Sequence, residues 1–235
     1  MAAIATCVLV SGCATRAAEG PQDINDPFET FNRLMFNVSL AVDKGVVRPT
    51  AVVYRRVVPG PVQDSVRNFL NNLDSPVIFT NDVLQGETDR AGVTLIRAGV
   101  NTTVGLAGLF DVATRWGYMR HYEDFGQTLA VYGAGEGPYI FLPLLGPGNP
   151  RDILGWTVDL LFDPLTYGQW NGKYYWQVGR SGVDYIDLRA RNIETLDEIE
   201  KTSLDFYASV RSLYRQTRNN EIRNGATEVQ DLPDF

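Results

Sequence analysis

Apolar residues recur at three- and four-residue spacings along most of the chain, which is the pattern of amphipathic helices. Strand-like alternation of apolar and polar residues is scarce. No apolar segment approaches the ~20 residues that a helix needs to span a bilayer. The pattern therefore predicts an all-α fold: a single compact helical domain over residues 26–218, with Gly/Pro-rich loops and no transmembrane helix.

The first helix is predicted to begin at Asp26, with Asp26 as the N-cap, Pro27 at the first helical position and Glu29 at the third. Apolar residues occupy most of the circumference of this helix, and polar residues occupy only a narrow face. Such a helix is either buried in the protein core or lies in a membrane interface, and the sequence leaves both open. The interface hypothesis assigns the membrane contact to five residues: Phe28, Phe31, Leu34, Met35 and Phe36.

The same start signal, a small polar residue followed by proline, occurs twice more. Ser75-Pro76 predicts a helix through Leu84 that Gly86 can end, and Asn149-Pro150 predicts one through Phe162. Two further amphipathic segments run from Val62 to Leu73 and from Leu95 to Val104.

The C-terminal third is predicted to be a long helical region for which Ser181 is a candidate cap, with a break between Lys201 and Asp205. An aromatic-rich segment, residues 165–180, precedes it, and such residues suit a membrane interface and a core equally. The polar, aromatic-poor residues 219–235 are predicted to be disordered.

The middle of the chain, residues 125–152, is apolar and yet rich in glycine and proline, so no long helix is expected there. Gly133, Gly135, Gly137 and Pro138 form its most flexible part. A phosphate-binding P-loop would require Lys and then Ser or Thr after the last glycine, whereas Pro138-Tyr139 follows here. Two interpretations remain: a buried turn, or a movable hairpin that gates a passage.

The N-terminus resembles a bacterial lipoprotein signal. Residues 1–12 form a short apolar segment that ends in Val10-Ser-Gly, and Cys13 follows in the position that is acylated in a lipobox. Ala14, rather than Asp, after that cysteine favours the outer membrane. Residues 13–25 are small and polar, and are predicted to be the tether of a lipid-anchored protein.

Composition and motifs argue against several functional classes. The formal net charge of −7 argues against a nucleic-acid partner, which would require a basic face. His121 is the only histidine, so a zinc constellation cannot be assembled around histidines, and no Gly-x-Ser-x-Gly motif is present. The sequence predicts no catalytic residue, no metal site and no cofactor, and therefore no enzyme.

Several segments together resemble the MlaA (VacJ) family of outer-membrane lipoproteins. The resemblance covers roughly residues 23–224 in family order. The segments are Asp26-Pro-Phe-Glu-Thr-Phe-Asn-Arg33, Val47-Arg-Pro49, Asn68-Phe-Leu-Asn-Asn-Leu73, Leu84-Gln-Gly86, Phe110-Asp-Val-Ala113, Phe125-Gly-Gln-Thr-Leu129, Tyr132-Gly-Ala-Gly-Glu-Gly-Pro-Tyr139, Leu142-Pro-Leu144, Arg151-Asp152 and Asp163-Pro164.

The resemblance implies a ring-like helical lipoprotein in the inner leaflet of the outer membrane, facing the periplasm. Family members take mislocalised phospholipid from the outer leaflet through an amphipathic passage. They pass it to a soluble periplasmic lipid-carrier protein and associate with an outer-membrane trimeric porin. A structural lipoprotein that braces or helps to assemble a porin is the alternative. A lipid hydrolase is disfavoured because the catalytic motifs are missing.

Overall fold

The computed structural model describes residues 25–225, and they are mainly helical. The helices are α1 (Glu29–Val42), α2 (Arg48–Val57), α3 (Gly60–Leu73), α4 (Ser75–Gln85), α5 (Thr88–Thr103), α6 (Val112–Arg115), α7 (Phe125–Val131), α8 (Pro150–Phe162), α9 (Lys173–Arg191), α10 (Ile193–Thr202) and α11 (Phe206–Ile222). One antiparallel hairpin, β1 (Ile140–Leu142) and β2 (Gly146–Gly148), lies between α7 and α8. No helix in the described range is long and apolar enough to cross a membrane.

The first long helix is interrupted by a π-helical turn, Asp43–Val47, which joins α1 to α2 without a loop. Its predicted start is wrong by two residues, because α1 begins at Glu29 and Asp26 does not cap it. Asp26 is instead buried, where it accepts hydrogen bonds from Asn32 Nδ2 at 2.7 Å, from the Tyr207 hydroxyl and from Arg211. The Asp26 carboxylate therefore forms a long-range ion pair with Arg211 instead of the predicted helix cap.

The other two proline starts are confirmed. Helix α4 begins at Ser75, and Gly86 ends it in the left-handed conformation at φ +80°. Helix α8 begins at Pro150 and ends at Phe162, with the Asn149 side chain accepting a hydrogen bond from the Asp152 backbone N–H at 2.8 Å.

The C-terminal region was only partly predicted. The break between Lys201 and Asp205 is confirmed, because α10 ends at Thr202 and α11 begins at Phe206. Ser181 is not a cap: it lies inside α9, which continues through Gly179 and Gly182. Helix α11 also continues to Ile222, so residues 219–222 are helical rather than disordered.

The elements close into a ring. Helix α3 contacts α4, α4 contacts α7, and α7 contacts α11, which lies against β2. The hairpin then contacts α1, and the continuation of α1 through the π turn brings α2 against α9, which returns to α3. Helix α8 lies against α4 and α7, and α5 lies against α3 and α4. The predicted ring-like helical fold is therefore confirmed.

Two small apolar clusters hold the ring at separate points. In one, the rings of Phe141 and Tyr207 lie edge to face with Phe36, at centroid distances of 5.4 and 5.6 Å. This cluster joins α1, the hairpin and α11. In the other, Ala51 of α2 is buried with Ala190 and Ile193. Small alanine side chains allow α2 to approach α9 closely.

Candidate functional site

Two cavities adjoin inside the ring, one of about 560 Å³ and the other of about 510 Å³. Three residues line both: Tyr122, Trp156 and Asp159. We refer to the two cavities, which meet at these residues, as the double cavity. Its size is that of a site for a drug-sized or larger ligand.

The walls of the double cavity combine apolar and charged side chains. On the larger side, apolar residues from α3, α4 and α8 face charged residues from α9 and the loop before α7. On the smaller side, the hairpin and α11 contribute. The lining includes Leu70, Asp74, Val77, Ile78, Glu123, Leu160, Asp163, Arg180 and Asp184 on the larger side, and Asp124, Leu145, Pro147, Asp152, Val210, Leu213, Tyr214 and Arg218 on the smaller. The cavity is therefore amphipathic.

Local sequence places α7 and α8 at the wall of this cavity. Asp124 caps α7 by accepting a hydrogen bond from the Gln127 N–H at 2.9 Å. The two helices then cross at a pair of glycines, where a Cβ atom added to Gly155 would lie 2.2 Å from the Gly126 nitrogen. Only glycine permits backbones to approach this closely. The close crossing holds Trp156 and Asp159, on the following turn of α8, at the cavity wall.

Residues on the cavity wall are accessible and yet poorly hydrated. Tyr122 is 50% exposed, but desolvation by the surrounding walls raises the pKa of its phenol well above the ordinary value. Desolvation also raises the pKa of Asp159 to about 6, although Asn81 and the Phe125 N–H donate hydrogen bonds to its carboxylate. Desolvation raises the pKa of Asp74 as well. These groups lie on a concave wall where the surrounding protein displaces part of their hydration.

The interior between the helices is polar while much of the surface is apolar. The largest fully buried side chains are Gln127, Glu123, Asn32, Asn81, Asn149, Thr128, Asp82 and Asp187. Glu123, for example, accepts hydrogen bonds from Arg90 at 2.5 Å and Gln85 at 2.8 Å. The exposed apolar side chains include Leu95 of α5 and Val104 directly after it, Leu154 and Leu161 of α8, and Tyr174, Tyr175 and Val178 of α9. This distribution suits a protein whose outer surface contacts lipid.

The five residues of the interface hypothesis separate into two groups. Phe28, Phe31 and Leu34 are exposed, at 52, 53 and 57%. Met35 is partly buried against the aromatic cluster, and Phe36 is buried at 8% in its centre. The assignment of Phe36 to the membrane is wrong, because the hairpin and α11 cover that side of α1. The helix is therefore core on one side and exposed and apolar on the other.

The glycine segment is a loop and not a hairpin, since the hairpin follows it at residues 140–148. Gly133, at φ +86°, ends α7: its N–H donates to Ala130 O, and the Ala134 N–H donates to Leu129 O. These are the two hydrogen bonds of a Schellman motif, which requires a left-handed residue. Gly137 also has a positive φ, of 75°. Gly135 has no positive φ and takes no part in the Schellman motif, and a Cβ atom added to it would meet no neighbouring atom.

Side chains hold the same loop at three points. Arg151 Nη1 donates to Ala134 O at 3.3 Å, Arg215 Nη2 donates to Glu136 at 3.0 Å, and Asn25 Nδ2 donates to Gly137 O at 2.8 Å. Pro138 follows these contacts at the entrance to the hairpin. The hairpin residues Leu145 and Pro147, and not the glycine loop, line the double cavity.

The remaining positions that the sequence singled out are Cys13 and His121. Cys13 lies outside the described residues. The ring of His121 is paired through Nε2 with both oxygens of the buried Asp82, at 2.9 and 3.0 Å, and contacts Thr94. Within residues 25–225, no group of three His, Cys, Asp or Glu side chains could hold a metal ion.

Sequence reasoning missed the cavity residues. Of the two adjacent carboxylates in the loop before α7, Asp124 caps that helix and Glu123 does not. Tyr122, Trp156 and Asp159 were not singled out, because they come from a loop and a helix that meet only in the folded chain. Gly126 and Gly155 were the one sequence signal for this site, since a glycine inside an amphipathic helix suggests close packing, here of α7 against α8.

Comparison with known proteins agrees with this architecture. Residues 24–221 match a family model described as MlaA lipoprotein. Two similar curated proteins are both named intermembrane phospholipid transport system lipoprotein MlaA. The Haemophilus influenzae protein is 32% identical over 241 residues, covering 100% of this chain and 95% of its own length. The Escherichia coli protein is 34% identical over 235 residues, covering 98% and 91%.

A solved structure, from work on the structural basis for maintenance of bacterial outer membrane lipid asymmetry, shares the fold. It has a TM-score of 0.76 and 34% sequence identity, and the match covers 84% of this chain and 98% of the other. The family model thus spans most of the chain, and a related protein has the same helical architecture. The chain belongs to the MlaA lipoprotein family.

Proposed function

We propose that the protein removes mislocalised phospholipid from the outer leaflet of the outer membrane through the double cavity. It then passes the lipid to a soluble periplasmic carrier protein, and this retrograde transport maintains lipid asymmetry. The relatives named as lipoproteins of an intermembrane phospholipid transport system support the general role. The observation that carries the proposal is the amphipathic double cavity inside a ring whose outer surface is apolar.

The physical reason is the two-part chemistry of a phospholipid. Acyl chains cross water at a cost of about 0.8 kcal/mol per exposed CH₂ group. A charged headgroup, conversely, enters hydrocarbon only at a large cost. A cavity with Leu70, Val77 and Leu160 on its wall beside Asp163 and Arg180 offers a suitable surface to each part. Such a passage requires no chemical step, so direction comes from the affinity of the acceptor.

The membrane placement belongs to the same proposal. Acylated Cys13 anchors the protein, and the exposed apolar residues of α1 lie in the inner leaflet. An outer-membrane trimeric porin is the partner that holds the ring at this depth. Mass spectrometry of the mature N-terminus tests the anchor: an unmodified Cys13 contradicts it. The Gly133–Pro138 loop, next to the hairpin that lines the cavity, controls passage in this proposal.

The experiment that tests the passage is site-specific photo-crosslinking. A photoreactive phenylalanine analogue at Tyr122, which lines both halves of the double cavity, is expected to form a covalent adduct with phospholipid in cells. The matched control carries the same group at Glu198, an exposed residue of α10 that lines neither half. Equal adduct yields at the two positions, or none at Tyr122, would contradict the proposal.

A second measurement separates transport from a bracing role. Trp156→Asp places a charge where the two halves of the cavity meet, and is expected to raise outer-leaflet phospholipid, measured by its accessibility to an external phospholipase. Porin association, measured by co-purification, is expected to stay at the wild-type level. Unchanged lipid asymmetry in this folded variant would favour a structural lipoprotein.

A further inference from the structure

A narrow polar cleft adjoins the double cavity on the side of α3 and α4. Its lining includes Asn71, Ser75, Ile78, Asp111, Arg120 and His121. Ile78 also lines the double cavity, and Asp74 of the double cavity directly precedes Ser75 of the cleft. The enclosed part is about 20 Å³, the space of one water molecule. A group larger than water would therefore bind at the mouth of the cleft.

Arg120, at this mouth, has no counter-ion in contact. Within residues 25–225, most arginines form ion pairs, and Arg120 makes neither a hydrogen bond nor an ion pair. Its side chain is exposed, yet desolvation by the surrounding protein lowers the pKa of the guanidinium below its ordinary value. A guanidinium in a poorly hydrated place, with no contacting carboxylate to take its N–H groups, favours the binding of an anion there.

Two of the three nearby carboxylates are already paired with other groups, whereas Asp184 has no ion pair in the described range. Asp111 accepts from Arg97 at 3.0 Å, and Asp74 accepts from Arg180 at 2.6 Å. His121 is similarly engaged with Asp82. Asp74 and Asp184 attract Arg120 only over a longer distance, and no carboxylate contacts it, so the N–H groups of Arg120 remain available.

Neutral donors surround the same mouth. The Asn71 amide and the Ser75 hydroxyl have no hydrogen-bond partner in the described part of the chain. Asn72, by contrast, donates to the Thr102 hydroxyl at 2.9 Å. Ser75 is also the first residue of α4.

We propose that Arg120, Asn71 and Ser75 form a binding site for the phosphodiester group of a lipid whose acyl chains occupy the double cavity. The proposal rests on the proposed transport function and deepens it by naming where the headgroup is held. A guanidinium suits a phosphodiester because its parallel N–H groups match two phosphate oxygens. The exposed side chain of Arg120 can move onto those oxygens without breaking an existing ion pair.

Binding by the purified, detergent-solubilised full-length protein tests the site. The probes are dihexanoylphosphatidylglycerol, dihexanoylglycerol, which lacks the phosphate, and inorganic phosphate as competitor, with retained ligand counted by native mass spectrometry. Arg120→Gln is expected to weaken phospholipid binding about tenfold, in line with the loss of a charged hydrogen bond. Dihexanoylglycerol binding is expected to be unchanged, and Arg120→Lys to restore part of the affinity.

The matched control is Arg115→Gln, because Arg115 is also exposed and without a hydrogen bond or ion pair in the described range, but lines no described cavity. Equal phospholipid affinity in wild type and Arg120→Gln, at equal melting temperature, overturns the site while the passage stands. Displacement of the phospholipid by inorganic phosphate at equal concentration overturns the assignment to lipid. A wild-type protein that retains neither lipid contradicts the proposed function itself.

Discussion

Arg218 donates hydrogen bonds to both carboxylate oxygens of Asp124, at 2.6 and 2.7 Å. It also reaches Asp152 at 3.0 Å. Asp124 caps α7 and Asp152 lies in the first turn of α8, so one guanidinium on α11 connects the starts of both cavity-wall helices. Burial alone would raise the pKa of Asp124, and the contact with Arg218 brings it below its ordinary value.

Arg218→Ala is expected to lower the free energy of unfolding by about 3 kcal/mol, because it leaves two carboxylates without their partner in a poorly hydrated site. Chemical denaturation of the detergent-solubilised protein measures this. Arg55→Ala is the control, since Arg55 pairs with Glu194 at the surface, where an ion pair contributes about 0–1 kcal/mol. Equal losses in the two variants would show that the Arg218 cluster does not hold the helices.

Two phenylalanines of α1 are expected to respond differently to the same substitution. Phe36→Ala removes the centre of the aromatic cluster and is expected to cost about 3–5 kcal/mol of stability. Phe31→Ala is expected to cost little stability and to weaken membrane retention in a variant that also lacks acylation. Denaturation and membrane flotation measure the two effects. Normal retention of the Phe31 variant would contradict the interfacial role of the exposed side of α1.

Asp159 is expected to make stability depend on pH. Its pKa is about 6 in the folded protein, against 3.8 as the ordinary value. Because the folded protein keeps the proton to higher pH than the unfolded chain, the free energy of unfolding falls as pH rises from about 4 to about 6 and stays lower above that. Burial of the ionised carboxylate is therefore unfavourable at neutral pH.

Asp159→Asn removes this titration. Between about pH 4 and about pH 7, the variant is expected to gain stability relative to wild type by on the order of 1 kcal/mol. The full pKa shift of Asp159 corresponds to roughly 3 kcal/mol, and solvent screening reduces that value. The value at about pH 4, where Asp159 is uncharged, is the internal reference that absorbs any change in hydrogen bonding. A difference that stays constant with pH would contradict the prediction.

The glycine loop offers a matched set of variants. Gly133→Ala is expected to cost about 1 kcal/mol, because φ +86° is unfavourable for alanine, whereas Gly135→Ala should be nearly neutral. Gly135→Pro restricts the loop without disturbing the helix end, and is expected to change outer-leaflet phospholipid at an unchanged melting temperature. Normal lipid asymmetry in Gly135→Pro would contradict the gating role and indicate that the loop is a structural turn.

Local signals predicted the helix boundaries well where the capping groups act on their own helix. Asn149 and Gly86 are such cases, since the hydrogen bond or backbone angle that they supply depends on the adjacent turn alone. Asp26 misled because Arg211, far away in sequence, competes for its carboxylate. Ser181 misled for a related reason: a residue that can cap a helix is also tolerated inside one when the neighbouring turns pack on α2 and α3.

The candidate site was harder to predict because its residues share no local pattern. Trp156 belongs to an ordinary amphipathic helix, and only the meeting of α8 with the loop around Tyr122 gives it a place on the cavity wall. Phe31 and Phe36 show the same limit. Both belong to the same largely apolar helix in the sequence, but the hairpin and α11 cover only Phe36.

The π-helical turn Asp43–Val47 has a consequence for insertions and deletions in this chain. A π turn accommodates one more residue than an α turn, and each α-helical residue rotates the following face by about 100°. A one-residue deletion here would let α1 and α2 merge into a single regular α-helix with Ala51 still facing Ala190, because four α-helical residues rotate the chain about as far as the five residues of the π turn. Without a deletion, conversion of the turn to regular α-helix would rotate Ala51 away from Ala190, while Phe31 kept its place. The π turn thus absorbs one residue and keeps the exposed apolar side of α1 in phase with the side of α2 that closes the ring.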